Sequence, residues 1–65
     1  MKILINAQAN DVPCKTLAEL LRHLEHEPDT VATAVNGSFV PASEREIFIL
    51  TNNDEVDIIA PMAGG

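Results

Sequence analysis

The strongest constraint in this 65-residue sequence is a single stripe of leucines set between segments that alternate. Leu17, Leu20, Leu21 and Leu24 fall at i, i+3, i+4 and i+7, so they share one face of a helix, while Arg22, His23, Glu25 and His26 look outward. Thr16-Leu17-Ala18-Glu19 matches a capping box and sets the start of that helix. Pro28 is expected to end it, because the residue before a proline is pushed out of the α region. Burying a leucine is worth about 1.5 to 3 kcal/mol before entropy is subtracted. One helix with one apolar face needs a sheet to cover.

The alternating segments supply that sheet. In residues 1–6, Ile3 and Ile5 fall on one side and Lys2, Leu4 and Asn6 on the other. Residues 6–10 are polar and small, and Val12 and Cys14 then resume the alternation, which predicts a hairpin with a second strand around residues 10–14. Pro13, with no N–H for a ladder, places that strand at an edge. Val31, Thr33 and Val35 alternate with Ala32, Ala34 and Asn36 in a third strand, Asn36-Gly37 signals a tight reversal, and residues 38–40 return until Pro41. Ser43-Glu44-Arg45-Glu46 is a second capping-box match and predicts one helical or 3₁₀ turn. After the turn at 51–54, where Asn53 tolerates left-handed backbone, residues 55–60 form the last strand. There Val56, Ile58 and Ala60 point one way and Glu55, Asp57 and Ile59 the other.

Four or five strands and one main helix, in this order, give an α+β chain: a mixed sheet with the helix packed on one face, the β-grasp or ubiquitin-like arrangement. In it the first and last strands run parallel, side by side, at the sheet centre. Residues 1–61 are thus expected to form the domain, and residues 62–65 a tail leaving the central strand, with Pro61 stiffening its exit. The tail Met62-Ala63-Gly64-Gly65 ends in two residues without a Cβ, which can thread a passage too narrow for a side chain.

Composition removes several function classes. Ten acidic residues against four basic ones give a formal charge of −6, which argues against nucleic acid and for a basic protein partner. The chain has no Trp or Tyr, so it offers no stacking platform for bases or sugars. A lone cysteine, Cys14, makes no internal disulfide, which fits a reducing cytoplasm. Apolar runs such as Ile47-Phe48-Ile49-Leu50 are far shorter than the ~20 residues that cross a bilayer, so no membrane association is expected. His23 and His26 are too few for a zinc site, which needs three or four ligands, and read as solvated surface. Only Lys15 adjoins Cys14 to activate a thiolate, so Cys14 reads as a packed strand residue. Leu4 and Ile59 fall on the sheet side that the helix leaves bare, side by side, as a candidate partner-docking patch.

The order of short motifs is similar to one family. Met1-Lys2-Ile3 leading to Asn6, Thr16-Leu17-Ala18-Glu19-Leu20-Leu21, Ala34-Val35-Asn36 followed by Val40-Pro41 and Ser43-Glu44, Leu50, Asp54-x-Val56-x-Ile58 and the closing Gly64-Gly65 together resemble the ThiS family, the sulfur carrier proteins of thiamine biosynthesis. The sequence departs from the family where Ala42 replaces a usual arginine, where Asn53 precedes Asp54 in place of glycine, and where the stretch between Asn6 and Thr16 is short and lacks its glycine. The resemblance implies that an E1-like, ThiF-like adenylyltransferase uses ATP to activate the Gly65 carboxylate. A persulfide protein then supplies sulfur to make a thiocarboxylate, which passes it to a ThiG-like thiazole synthase. Gly64, Ala63 and Met62 would be the residues those partners grip. The carrier itself is implied to be a protein substrate, monomeric when free, with no catalytic residue, metal ligand or bound cofactor of its own. Other occupants of the same pattern are the small subunit of molybdopterin synthase or another thiocarboxylate carrier, a ubiquitin-like modifier joined to lysines, and an interaction module whose Gly-Gly end is incidental.

Overall fold

The computed structural model describes residues 1–60. Two asparagine-led reversals set its strand pairings. Asn6 and Ala7 both take positive φ (48° and 70°), as a two-residue type I′ turn requires, and join β1 (Lys2–Ile5) to β2 (Gln8–Asp11). Asn36 and Gly37 (φ 52° and 84°) do the same between β3 (Ala32–Val35) and β4 (Ser38–Val40). The second hairpin is the one its Asn-Gly pair predicts. The first differs: β2 pairs from Gln8 to Asp11, earlier than residues 10–14. An alanine in the left-handed region carries no local turn signal, so the reversal reads in sequence as a longer loop. Pro13 lies past the strand, and Val12 and Cys14 turn inward to the core.

The sheet order is β2-β1-β5-β3-β4, with β5 (Glu55–Ile59) at the centre. It runs parallel to β1, and the other pairings are antiparallel. This mixed five-stranded sheet with α1 (Leu17–His23) on one face is the expected β-grasp. Ile3, Val35, Val40, Val56 and Ile58 from the sheet meet Leu17, Leu20 and Leu21 from the helix in one core, with Leu24 half-buried at its margin.

The helix begins as its capping box dictates. Thr16 Oγ1 accepts from the Glu19 N–H at 3.1 Å, and Glu19 Oε1 accepts from the N–H groups of Thr16 at 3.1 Å and Lys15 at 2.7 Å. The Lys15 and Thr16 donors hold the Glu19 carboxyl below its ordinary value. The helix ends earlier than Pro28. It stops at His23, Leu24 caps it, and Glu25 swings to φ 61°. The N–H of His26 then bonds to Leu21 and that of Glu25 to Arg22, both at 3.0 Å, the two bonds of a Schellman cap. Glycine usually marks such an end, and here a glutamate occupies the position. Pro28 instead opens a 3₁₀ turn, Pro28–Thr30.

The second capping box does not form. A 3₁₀ turn, Ala42–Glu44, starts after Pro41 without a side-chain cap, and Glu46 pairs with Arg22 across 3.1 Å. Arg45 is buried, with its guanidinium donating to Pro28 O (2.8 Å), Val31 O (2.6 Å) and Thr33 Oγ1 (3.1 Å). It ties the segment before β3 to the segment after β4. Residues 47–50 make no strand beyond one bridge, Thr16 with Ile49. Leu50 is buried there, while Ile47 and Ile49 stand exposed.

The start of β5 is fixed by Asp54. Its buried carboxylate accepts from Thr51 N (2.8 Å), Thr51 Oγ1 (3.0 Å) and Asn36 Nδ2 (3.0 Å), while Asn36 Oδ1 accepts from Glu55 N at 3.0 Å. Asn53, at φ 72°, takes the left-handed backbone expected of it. Burial pushes the Asp54 carboxyl up, and the three donors outweigh that and hold it below the ordinary value. A depressed carboxyl stabilises the fold fully above its unfolded pKa, near 4, and loses that contribution as pH falls through the lower folded value. Asp54→Asn should therefore lower stability at pH 7 by about 1 to 3 kcal/mol, since it sets an amide against the Asn36 amide. It should also flatten the loss of stability below about pH 4 relative to the native chain. Thermal unfolding between pH 2.5 and 7 checks both; equal acid sensitivity in the two proteins would show that Asp54 is not the titrating anchor.

Candidate functional site

Strand β5 is flanked on both sides, so its backbone is held along almost its whole length. Leu4 N donates to Asp54 O and Asn6 N to Val56 O, both at 2.9 Å, on the β1 side. The β3 side pairs Val35 with Val56, Ala34 with Asp57, Thr33 with Ile58 and Ala32 with Ile59. The chain beyond this strand carries Pro61 and the tail residues Met62, Ala63, Gly64 and Gly65, which lie outside the described residues.

Near the end of β5 the β1 side changes hands. The chain of β1 turns away at Asn6, and the Asn6 side chain takes over. Its Oδ1 accepts from Ile58 N at 2.8 Å and its Nδ2 donates to Ile58 O at 3.3 Å. Sequence reasoning places Asn6 at a strand end and in the family motif, with no partner for its side chain. Its partner is 52 residues away, so no local pattern announces the contact.

The sheet face away from α1 carries the exposed side chains of β5: Glu55, Asp57 and Ile59. Leu4 and Ile59 both belong to it, Leu4 half-buried and Ile59 60 % exposed. They are not adjacent. The register sets Leu4 beside Glu55 and Ile59 beside Ala32, so they stand four residues apart along β5, roughly 13 Å. Between them lie the two carboxylates, and Phe39, 69 % exposed, sits on the next strands opposite Ala34. The parallel register of β1 and β5 decides this spacing, and alternation within each strand does not reveal it. Phe39 was legible in principle, since a two-residue turn at Asn36-Gly37 sets it opposite the outward Ala34.

On the other side of the molecule Ala42 lines a groove of about 200 Å³ with Leu21, Pro28 and Arg45. That is smaller than the roughly 300 to 1,000 Å³ of ordinary small-molecule pockets. His23 is the last helical residue and His26 lies past the Schellman cap, so the two do not share a helix face. Among the described residues, no group of three His, Cys, Asp or Glu is placed to hold a metal ion, and no helix is long and apolar enough to cross a membrane.

A family model, that of the ThiS family, matches residues 3–65. The crystal structure of a thiamine biosynthesis protein (ThiS) from Geobacter metallireducens superposes with a TM-score of 0.85 at 22% identity, covering 100% of both chains. A solution structure of a thiamine biosynthesis protein from the same organism gives 0.82 at 22% identity, covering 100% of this chain and 88% of that one. At that identity the two structures speak for the fold. No curated protein matches the sequence.

Cys14 lies 6 % exposed in the core, and burial, with the nearby Glu19 charge, pushes its thiol pKa up. Both effects oppose the thiolate, the form in which cysteine attacks or carries sulfur. Cys14 should resist a maleimide in the native protein at pH 7.5 and react fully in 6 M guanidinium, as read by intact mass. Rapid native labelling would return Cys14 to the list of reactive groups.

Proposed function

The chain belongs to the ThiS family, the sulfur carriers of thiamine biosynthesis, and on that footing we propose that it carries sulfur on its Gly65 carboxylate for thiazole formation. The observation that carries this reading is the family match running through Gly65 together with a central strand, β5, that leads into residues 61–65. A free carboxylate is a poor electrophile. In the proposed sequence an E1-like enzyme transfers the AMP moiety of ATP to it, releasing pyrophosphate and creating a good leaving group. A persulfide sulfur attacks the acyl carbon and expels AMP, and a second thiol cleaves the resulting S–S bond to leave the thiocarboxylate and a disulfide. The thiocarboxylate gives its sulfur to thiazole synthase. The chain is a protein substrate in every step, and the ATP belongs to the partner's site.

Glycines at positions 64 and 65 suit this role because a partner's nucleotide site must admit the backbone closely. The bare sheet face supplies the handle. Leu4, Phe39 and Ile59 around Glu55 and Asp57 present apolar and acidic groups together, which fits a partner surface that is apolar with basic residues.

Incubation with ATP, a sulfur donor and the adenylating enzyme should raise the intact mass by roughly 16 Da, one oxygen exchanged for sulfur. Deleting Gly65 should abolish the gain and leave the unfolding midpoint unchanged. No gain with any adenylating partner would overturn the carrier reading. Ile59→Asp should raise the KM for the carrier in the adenylation reaction about tenfold without lowering stability, and Leu4→Asp should do so with some loss of stability because Leu4 is half-buried. Unchanged affinity for both adenylating enzyme and synthase in both variants would show that this face is not the handle.

A further inference from the structure

We infer that Asn6 is a positioning residue for delivery of the C-terminus: its carboxamide serves as the last rung between β1 and β5 and so fixes the direction in which the chain leaves β5. The inference rests on the carrier reading above and extends it to a residue on the hairpin at the far end of the sequence.

The geometry behind it is a matter of which backbone groups remain to be satisfied. Asp54 and Val56 offer their carbonyls to Leu4 and Asn6 of the first strand, so alternate residues of β5 face β1. Ile58 is the next in that series. In an uninterrupted parallel ladder its N–H and C=O would pair with a continued β1. That continuation does not exist, because Asn6 and Ala7 reverse the chain into β2. The Asn6 side chain returns one acceptor and one donor to the same place, at 2.8 Å and 3.3 Å, and Ile58 keeps both bonds. Asparagine meets two requirements at once here. It tolerates the φ of 48° that opens the turn, and its carboxamide holds a donor and an acceptor at the reach needed. Aspartate would lose the donor, and glycine would lose both groups while keeping the turn.

Only Ile59 and Ala60 separate this rung from Pro61. Without it, the end of β5 would be tied on the β3 side alone, through the pairing of Ile59 with Ala32. The exit would then sample a wider cone, and the fraction of chains whose tail points into a partner's channel while the sheet face is docked would fall. A binding-competent fraction below one raises the apparent dissociation constant by the reciprocal of that fraction and leaves the chemistry of the seated tail alone.

The test compares the full chain with Asn6→Gly and Asn6→Asp. Adenylation by the E1-like enzyme with ATP is followed as pyrophosphate release, and amide exchange at Ile58 and Ala60 is read by NMR at 25 °C. Asn6→Gly should raise the KM for the carrier about tenfold with kcat unchanged and lower the protection of the Ile58 amide about tenfold, with the core amides still protected. Asn6→Asp, which keeps the acceptor, should retain the Ile58 protection and show a smaller rise in KM. It serves as the decisive variant if Asn6→Gly folds poorly. A native chain that is activated, beside variants with unchanged KM, would overturn the positioning role alone. A loss of stability with KM unchanged at a temperature where the variants are folded would likewise assign Asn6 to the fold. A native chain never activated by an adenylating enzyme would overturn the carrier reading and the positioning role with it, while the Ile58 exchange would still report whether the rung exists.

Discussion

The parallel pairing of β1 with β5 is the interaction on which the rest of the structure depends. It brings the beginning and the end of the chain together at the sheet centre, and its ladder is short, with Leu4 beside Glu55 and Ile5 beside Val56. Side chains secure β5 at both ends, on the β3 side at its start and on the β1 side near its finish. Asn36 donates to the Asp54 carboxylate and accepts from Glu55 N, the first residue of β5, and Asn6 holds Ile58. A 65-residue domain has a small core and buries only about 60% of its unfolded surface, so hydrogen bonds at the strand ends weigh more than they would in a larger protein. Three polar side chains thereby set where the central strand starts and where it stops.

What the sequence made legible follows from period. Alternation in 31–36 and 55–60, and the leucine stripe of α1, each place a set of side chains on one face, and the structure buries Val31, Thr33, Val35, Val56, Ile58, Leu17, Leu20 and Leu21 of those sets, while Leu24 is half-buried and Ala60, past the end of β5, is exposed. The capping box at Thr16 and the Asn-Gly reversal were legible because both are local chemistry in which three or four residues hold the whole signal. The illegible features share a different cause. Ala7 and Glu25 take positive φ, where any residue with a Cβ is disfavoured, and the surrounding structure enforces this through pairings made elsewhere. The first hairpin accordingly turns earlier than its alternation implies, and the helix ends before Pro28. Arg45 was illegible as a buried group for a similar reason, since its three acceptors come from residues 12 to 17 positions away. Of the bare face, the membership of Leu4 and Ile59 followed from alternation, while the distance between them depended on a parallel register that no short window contains.

The two faces of the sheet divide the work. One is filled by α1 and gives the domain its stability. The other is left uncovered among the described residues, with Phe39 and Ile59 exposed beside Glu55 and Asp57. An apolar strand surface left bare invites association with itself, and two features oppose that here. A symmetric contact of this face with a second copy would bring like carboxylates together, which is unfavourable in the low dielectric of an interface. The sheet edges are also poor templates: β2 is short and polar, and β4 has three residues before Pro41 stops it.

That arrangement sharpens what an acidic carrier gains from its charge. A formal charge of −6 steers the domain toward basic surfaces over about a Debye length, roughly 8 Å at physiological ionic strength, and carries no information about orientation. Orientation has to come from the short-range pattern on the bare face, and delivery from the direction of the tail. In the proposed mode of action the face and the tail engage one partner together, so the link between them must be stiff for the second contact to profit from the first. Strand β5 is that link. It carries Glu55, Asp57 and Ile59 on the bare face, and two residues separate its Asn6 rung from Pro61, so in that proposed mode docking the face and delivering the carboxylate would be one event mediated by one strand.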